Sequence, residues 1–137
     1  MINLKFYTKE EWQEYSKQFH ALVFNNSDFS DIENIDFACV VFDNDTAIGF
    51  STMRVLDKYH VYMQYGGTLD KSNYTNLKGY LKLIEALKDN FLNITTLIEN
   101  NNKSMIKLAM KAGFEIIGIR YKKSSIYLEH SIEVKHG

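Results

Sequence analysis

The side chains with the most chemical potential stand near the ends of apolar segments rather than in a compact catalytic motif. Glu99 follows the apolar segment 94–98; a carboxylate can act as a general base, although at a strand end it is more often simply solvated. Tyr65 precedes the pair Gly66-Gly67. Paired glycines inside a strand indicate a bulge, or the close approach of another backbone or a ligand. An unpaired N–H group there could stabilise an oxyanion.

The cysteine and histidine residues do not have the spacing of metal ligands. Cys39 is the only cysteine and lies in the apolar run 37–42, which predicts a buried, structural thiol and excludes an internal disulfide. None of the four histidines is paired at a ligand spacing, so no metal site is predicted. His130 alternates with Leu128 and Ile132, which favours a partly buried structural residue over a catalytic one.

Length and charge exclude several classes of protein. With 137 residues, the chain is expected to form one domain over 1–137. The formal net charge of −1 argues against a general nucleic-acid binder, which is usually strongly basic. No apolar run approaches the ~18 residues of a membrane span, and the first residues do not resemble a signal peptide. A cytoplasmic protein without a membrane partner is therefore expected.

Hydrophobic periodicity predicts an alternation of strands and helices. Thr8 and Glu11 form a predicted capping box at the start of the first helix, and Gly113 is expected to end the last one. The first half of the chain is predicted to contain a strand over 2–7, a helix to about 24, a loop or short helix over 25–34, and strands over 37–43, 46–56 and 60–69. The second half is predicted to contain a helix from Ser72 or Asn73 to about 90, a strand over 94–99, a helix marked by 105–112, and a closing hairpin of 114–120 and 125–133.

The segment 98–114 has a distinctive pattern. An aliphatic residue ends a strand, and an Asn follows four positions later. A small or apolar residue stands three positions after the Asn, and Gly-Phe opens the next strand. The residues that match this pattern are Ile98, Asn102, Met105, Leu108, Gly113 and Phe114. This pattern, together with the element order, resembles the GNAT family of acetyl-CoA-dependent N-acetyltransferases. Read without the family, Asn102 would cap the helix and Gly113 would end it.

The resemblance implies a fold class and a coenzyme site. The fold would be α/β, with a mixed, mostly antiparallel, twisted sheet flanked by helices and with its central strands splayed apart. In the family, the pantetheine arm of acetyl-CoA pairs with the exposed edge of the splayed strand as an added strand would. That role would fall here to Gly67, Thr68 and Leu69, with Asn102 near the same arm.

The resemblance also places a phosphate-binding segment at the start of the second long helix. The family motif has six positions: Arg or Gln, two variable residues, Gly, one variable residue, and Gly or Ala. It aligns here with Tyr74, Thr75, Asn76, Leu77, Lys78 and Gly79. Only Gly79 matches, although a helix N-terminus can bind phosphate through its N–H groups. Many members carry a tyrosine that protonates the leaving thiolate where this chain has Ala109. Tyr74, Tyr80 or a water would have to replace it.

The implied activity is transfer of an acetyl group from acetyl-CoA to an amine of a small molecule or peptide, by direct attack of the amine. Glu99 and Tyr65 are the candidate catalytic residues. The acceptor would lie between 25–35 and the hairpin tip 121–125, lined by Tyr62, Tyr65, Phe29 and Tyr121. Because family members are often dimers, a homodimer is a candidate assembly. The competing interpretation is a GNAT-like fold that has lost catalysis and serves as a binding or interaction protein.

Overall fold

The computed structural model describes residues 1–16, 34–68 and 73–134. Its elements follow the predicted order. Outside the described residues lie the end of the first predicted helix and nearly all of the segment 25–34. In chain order they are β1 (Ile2–Thr8), α1 (Lys9–Tyr15), β2 (Phe37–Asp43), β3 (Thr46–Asp57), β4 (His60–Thr68), α2 (Asn73–Lys88), β5 (Asn93–Glu99), α3 (Lys103–Lys111), β6 (Glu115–Lys122) and β7 (Ser125–Glu133).

Local hydrogen bonds decide where several elements begin and end. The hydroxyl of Thr8 accepts from the backbone N–H of Glu11 at 3.2 Å, and the Glu11 carboxylate accepts from the N–H of Thr8 at 3.0 Å. The predicted capping box is therefore confirmed. Asn44 adopts a φ of 55° in the turn between β2 and β3, and Gly113 a φ of 105° after α3, which are the left-handed conformations that turns and helix ends require.

The strands form one sheet in the order β1-β2-β3-β4-β5-β7-β6. Neighbouring strands are antiparallel except β4 and β5, which are parallel. Trp12 of α1 packs on one face with Ala38 and Val40, and we call this the α1 face. Helices α2 and α3 cover the other face, the α2–α3 face, where Ile84 and Ala109 pack with Met53, Val61 and Ile94.

The two parallel strands diverge in the middle of the sheet. They are paired only from His60–Asn93 to Met63–Thr96. Beyond that point β4 stays on β3, and β5 stays on β7 as far as Glu99. The opening between the carboxyl ends of β4 and β5 is called the wedge below. The splayed central strands implied by the resemblance are thus present.

Of the alternatives predicted for Gly66-Gly67, the structure has the close approach of another backbone, and the bulge lies at Gln64. The register between β3 and β4 shifts there, whereas both glycines continue the regular ladder with β3. A Cβ atom on Gly66 would lie 3.2 Å from the carbonyl oxygen of Phe50. A glycine at this position therefore allows the backbones of β3 and β4 to approach closely.

On the α2–α3 face of β7, only part of the strand is buried. His130 and Ile132 are buried as the alternation predicts, but Ile126 on the same face is 40% exposed. Ile126 pairs with Tyr121 near the hairpin tip, at the outer end of the sheet where the helices provide little cover. The alternation of Ile126, Leu128 and Ile132 along this strand predicts one buried face, and Ile126 departs from that prediction.

Candidate active site

The apex of the wedge is closed by a side chain. The hydroxyl of Thr96 on β5 donates to the carbonyl oxygen of Met63 on β4 at 3.0 Å, and this bond is buried. It lies at the last residue pair that joins the two strands. Gln64, the bulged residue, is the next residue of β4. The bulge and the Thr96 hydrogen bond together fix where the strands separate.

Two buried oxygen atoms on β3 and β4 lie beside the wedge without a hydrogen-bond partner among the described residues. They are Ser51 Oγ, on the residue that pairs with Gly66, and Gln64 Oε1 at the bulge. A buried polar group without a partner costs about 1–3 kcal/mol, and such groups in native proteins are usually bonded to a ligand or water. This edge therefore fits a ligand that carries amide and carbonyl groups, such as the pantetheine arm of coenzyme A.

A second pair of such atoms lies on the α2–α3 face. His130 pairs with Thr96 across β5 and β7; its Nδ1 bonds to the carbonyl oxygen of Leu128 at 2.9 Å, while its buried Nε2 has no partner in the described part of the chain. The centre of the Phe114 ring lies 6.5 Å from the centre of the His130 ring and 6.3 Å from the centre of the Tyr80 ring. The Tyr80 hydroxyl is likewise buried and unbonded to described residues, and burial raises the pKa of Tyr80.

The six residues aligned with the phosphate-binding motif all lie inside α2, which begins at Asn73. Tyr74 is 70% exposed, and the Lys78 ammonium lies 4.9 Å from the centre of its ring. Gly79 instead faces the sheet, because a Cβ atom there would lie 2.7 Å from Cγ1 of Val41. The one residue that matches the family motif is therefore required for helix–sheet packing.

Asn102 caps α3 as predicted. Its Oδ1 accepts from the backbone N–H of Met105 and from the Ser104 hydroxyl, each at 3.3 Å. Ala109 is fully buried and accepts a backbone hydrogen bond from Phe114 at 3.0 Å. Tyr80 packs against the same core cluster as Ala109. A tyrosine hydroxyl is therefore present in this cluster, although it comes from α2 rather than α3.

Charged groups surround Tyr62 on the α1 face. The register places Glu99, the last residue of β5, on this face with Tyr62. The only two arginines of the chain interact with Tyr62: burial raises the pKa of the Tyr62 hydroxyl, while the charges of Arg120 and Arg54 oppose this increase. Arg120 also forms an ion pair with Glu129 at 3.4 Å. This convergence was not apparent from the sequence, because the strands involved are distant in the chain.

The structure brings most of the predicted coenzyme residues to the wedge or to the elements beside it. Tyr65, Gly67 and Thr68 continue β4 beyond the bulge, and Glu99 ends the opposite strand. Tyr121 is 78% exposed and pairs with Ile126 on the α2–α3 face, opposite to the face of Tyr62. These two residues therefore do not line one groove. Leu69 and Phe29 lie outside the described residues.

Other kinds of site find no support in the described ranges. Within 1–16, 34–68 and 73–134, no three His, Cys, Asp or Glu side chains are grouped so that they could hold a metal ion. None of the helices described is both long enough and apolar enough to cross a membrane. Cys39 is buried as predicted, and burial raises the pKa of its thiol to about 12, so it is not a reactive nucleophile.

Solved structures with the same fold are acetyltransferases of low sequence identity. The ribosomal-protein-S18-alanine N-acetyltransferase from Escherichia coli matches with a TM-score of 0.78 and 11% identity, over 100% of this chain and 96% of that chain. The Bacillus subtilis acetyltransferase in complex with CoA matches at 0.75 and 13%, over 98% and 100%. A GNAT family acetyltransferase from Elizabethkingia anophelis with acetyl-CoA bound matches at 0.72 and 15%, over 97% and 98%.

These comparisons establish the fold. No family model matches the sequence, and no curated protein matches it. The resemblance based on segment 98–114 is confirmed at the level of the structure: the chain has the fold of the GNAT acetyltransferases, with a mixed seven-stranded sheet flanked by helices.

Proposed function

We propose that this chain is an acetyl-CoA-dependent N-acetyltransferase of the GNAT family, acting in the cytoplasm on an amine of a small molecule or peptide. The observation that carries the proposal is the wedge, in which β4 and β5 separate at the bulge of Gln64 and leave a strand edge beside buried polar atoms that lack partners among the described residues. Acetyl-CoA supplies an acetyl group activated as a thioester.

Coenzyme binding would use both strand and helix. The edge formed by Tyr65, Gly67, Thr68 and Leu69 would pair with the pantetheine arm as with an added strand. Asn102 would contact the same arm. The first turns of α2, with the residues Tyr74, Thr75, Asn76, Leu77 and Lys78, would hold the pyrophosphate through the positive end of the helix dipole and the Lys78 ammonium.

The chemistry would take place where the wedge opens to the α1 face. Glu99 would accept a proton from the attacking amine as the new N–C bond forms and the C–S bond breaks. A backbone N–H group near Tyr65 would stabilise the negative charge on the carbonyl oxygen. Because amine and thioester are held together, much of the entropic barrier is removed on binding.

Tyr80 would assist the leaving thiolate in place of the tyrosine that family members carry at the position of Ala109. Its buried hydroxyl has no described partner and lies in the cluster that contains Ala109 and Phe114. Since burial raises the pKa of Tyr80, the hydroxyl stays protonated and can donate a hydrogen bond to the sulfur. The thiolate would finally take its proton from water, while Tyr80 keeps its own proton and donates a hydrogen bond to the sulfur.

A specific observation also favours the competing function, a binding protein that has lost catalysis. Ala109 is fully buried and cannot act as an acid, and Gly79 is required for packing rather than free to approach a phosphate. Such a protein would keep the fold and the coenzyme wedge without turnover.

Titration with acetyl-CoA separates these functions. A ligand that binds only the folded state raises the melting temperature by mass action, so we expect an increase with acetyl-CoA and thiol release with at least one amine in a screen. No increase at millimolar acetyl-CoA would overturn the coenzyme site. An increase without thiol release from any amine would favour the binding protein.

The role of Tyr80 is tested by Tyr80→Phe. We expect kcat to fall about 100-fold, in the range typical of a hydrogen-bond donor to a developing negative charge. Acetyl-CoA affinity and melting temperature should change little, because only a hydroxyl without a described partner is removed. Tyr59→Phe, at an exposed tyrosine in the turn between β3 and β4, is the matched control and should leave kcat unchanged. A Tyr80→Phe enzyme with full kcat would exclude this role.

A further inference from the structure

The outer strand β6 is an exposed apolar edge. In the part of the chain that the structure describes, its only neighbour is β7. Ile117 is 57% exposed, Ile119 60% and Tyr121 78%. Soluble proteins usually cover, charge or shorten such edges, because an exposed apolar edge strand pairs with another chain. An exposed apolar patch of this kind marks an interaction site.

We propose that β6 pairs antiparallel with β6 of a second copy of this chain, about a two-fold axis at Ile119. Opposite residues of an antiparallel pair point to the same face of a sheet, so a two-fold axis allows only certain registers. With Ile119 facing its own copy, Gly118 faces Arg120 of the second copy. Farther out, the strand bulge at Ile117 has to be accommodated.

The bulge makes the rest of the strand complementary to itself. Because Ile117 is the extra residue of the bulge, Ile116 and Ile117 together face Tyr121 of the second copy, as two residues face one in a β-bulge. Glu115 then faces Lys122. Each half of the two-fold pair therefore contains one apolar contact and one ion pair, and no like charges face each other.

Neighbouring registers are less favourable. An axis at Arg120 would bring the two Arg120 side chains together, which is repulsive. An axis at Gly118 would pair Glu115 with Arg120, which already forms an ion pair with Glu129 of its own chain. Tyr121 and Lys122 would then extend past the end of the second strand and have no partner there. The Ile119 register pairs the whole of β6 and covers its most exposed ring.

The surface continues beyond the strand on the α2–α3 face. Ile126 pairs with Tyr121 and is 40% exposed. Pairing of two β6 strands would join the sheets of the two copies and place this apolar residue beside the new interface. A second copy is therefore favoured as the occupant over an unrelated peptide, because the charges at both ends of β6 are complementary to each other.

Sedimentation velocity of the full chain over a range of concentrations tests the proposal. We expect the wild type to be a dimer and Ile119→Lys to be monomeric, because two ammonium groups would meet on the axis. Leu56→Lys, which replaces another exposed apolar residue, on β3, is the control and should remain dimeric. Circular dichroism verifies that each variant is folded.

Charge reversal tests the register. Glu115→Lys and Lys122→Glu should each weaken the dimer about tenfold, because one substitution affects both symmetric ion pairs. The double variant should restore wild-type affinity, which a general change in surface charge would not do. A monomeric wild type at high micromolar concentration, a dimer that survives Ile119→Lys, or a neutral Lys122→Glu would each overturn the proposal.

Discussion

At the scale of single residues, Gly79 shows how one residue type can satisfy two different explanations. Its position in the sequence matches the last glycine of a phosphate-binding motif, and this match was its only link to the coenzyme. In the structure, the absence of a side chain lets α2 approach β2, since a Cβ atom would lie 2.7 Å from Cγ1 of Val41. Packing alone therefore accounts for the glycine.

We expect Gly79→Ala to lower the free energy of unfolding by about 1 kcal/mol. Overpacking a core costs about 1–3 kcal/mol, and the better helix propensity of alanine returns about 1 kcal/mol. Val41→Ala in the same chain removes the clashing methyl groups, so the double variant should be more stable than the sum of the single effects predicts. Urea unfolding of the four proteins measures this coupling, and strict additivity would contradict the packing explanation.

The buried histidine and cysteine illustrate what residue patterns predict well. The apolar run 37–42 predicted a buried Cys39, and alternation along the last strand predicted a partly buried His130; both residues are fully buried. The sequence did not predict that His130 Nε2 would have no hydrogen-bond partner among the described residues. The partners of a buried side chain depend on residues from other elements.

At the scale of elements, the start of α3 was predicted most reliably. Asn102 is both the helix cap and a candidate coenzyme contact, and its cap bond to the Met105 N–H is present at 3.3 Å. A cap involves residues three positions apart, so its signal is contained in a short stretch of sequence. By contrast, the position of the bulge in β4 was not predicted, because strand register depends on β3.

Two substitutions separate the roles of Asn102. Serine is also a good N-cap, so Asn102→Ser should keep the free energy of unfolding near that of the wild type but weaken acetyl-CoA binding. Asn102→Ala should lose about 1 kcal/mol of stability and weaken binding to a similar extent. Chemical unfolding and calorimetric titration measure the two effects. Wild-type affinity in Asn102→Ser would mean that Asn102 is a cap and nothing more.

At the scale of the whole molecule, the core holds acidic groups in their neutral form. Burial raises the pKa of Cys39 from 9.0 to about 12 and raises that of Tyr80 as well. A thiol whose pKa is higher in the folded than in the unfolded state contributes stability below its unfolded pKa. That contribution is lost as the pH rises towards the folded value.

The free energy of unfolding should therefore fall above about pH 9, with Cys39 contributing a slope of up to about 1.4 kcal/mol per pH unit. Cys39→Ala removes this group and should flatten the dependence, although its stability at neutral pH is lower because buried atoms are lost. Urea unfolding from neutral to alkaline pH measures both curves. Parallel curves would show that Cys39 is not held neutral by burial.

The sequence by itself determined the order of the elements, the capping box at Thr8, the cap at Asn102, the chain reversal at Gly113 and the resemblance of segment 98–114. Each depends on residues within a few positions or on simple periodicity, so the signal is local. Only the tertiary structure decided the bulge at Gln64, the residue pair at which the wedge begins and the exposed edge of β6. These depend on strand register and on packing between residues far apart in the chain, which no short stretch of sequence specifies.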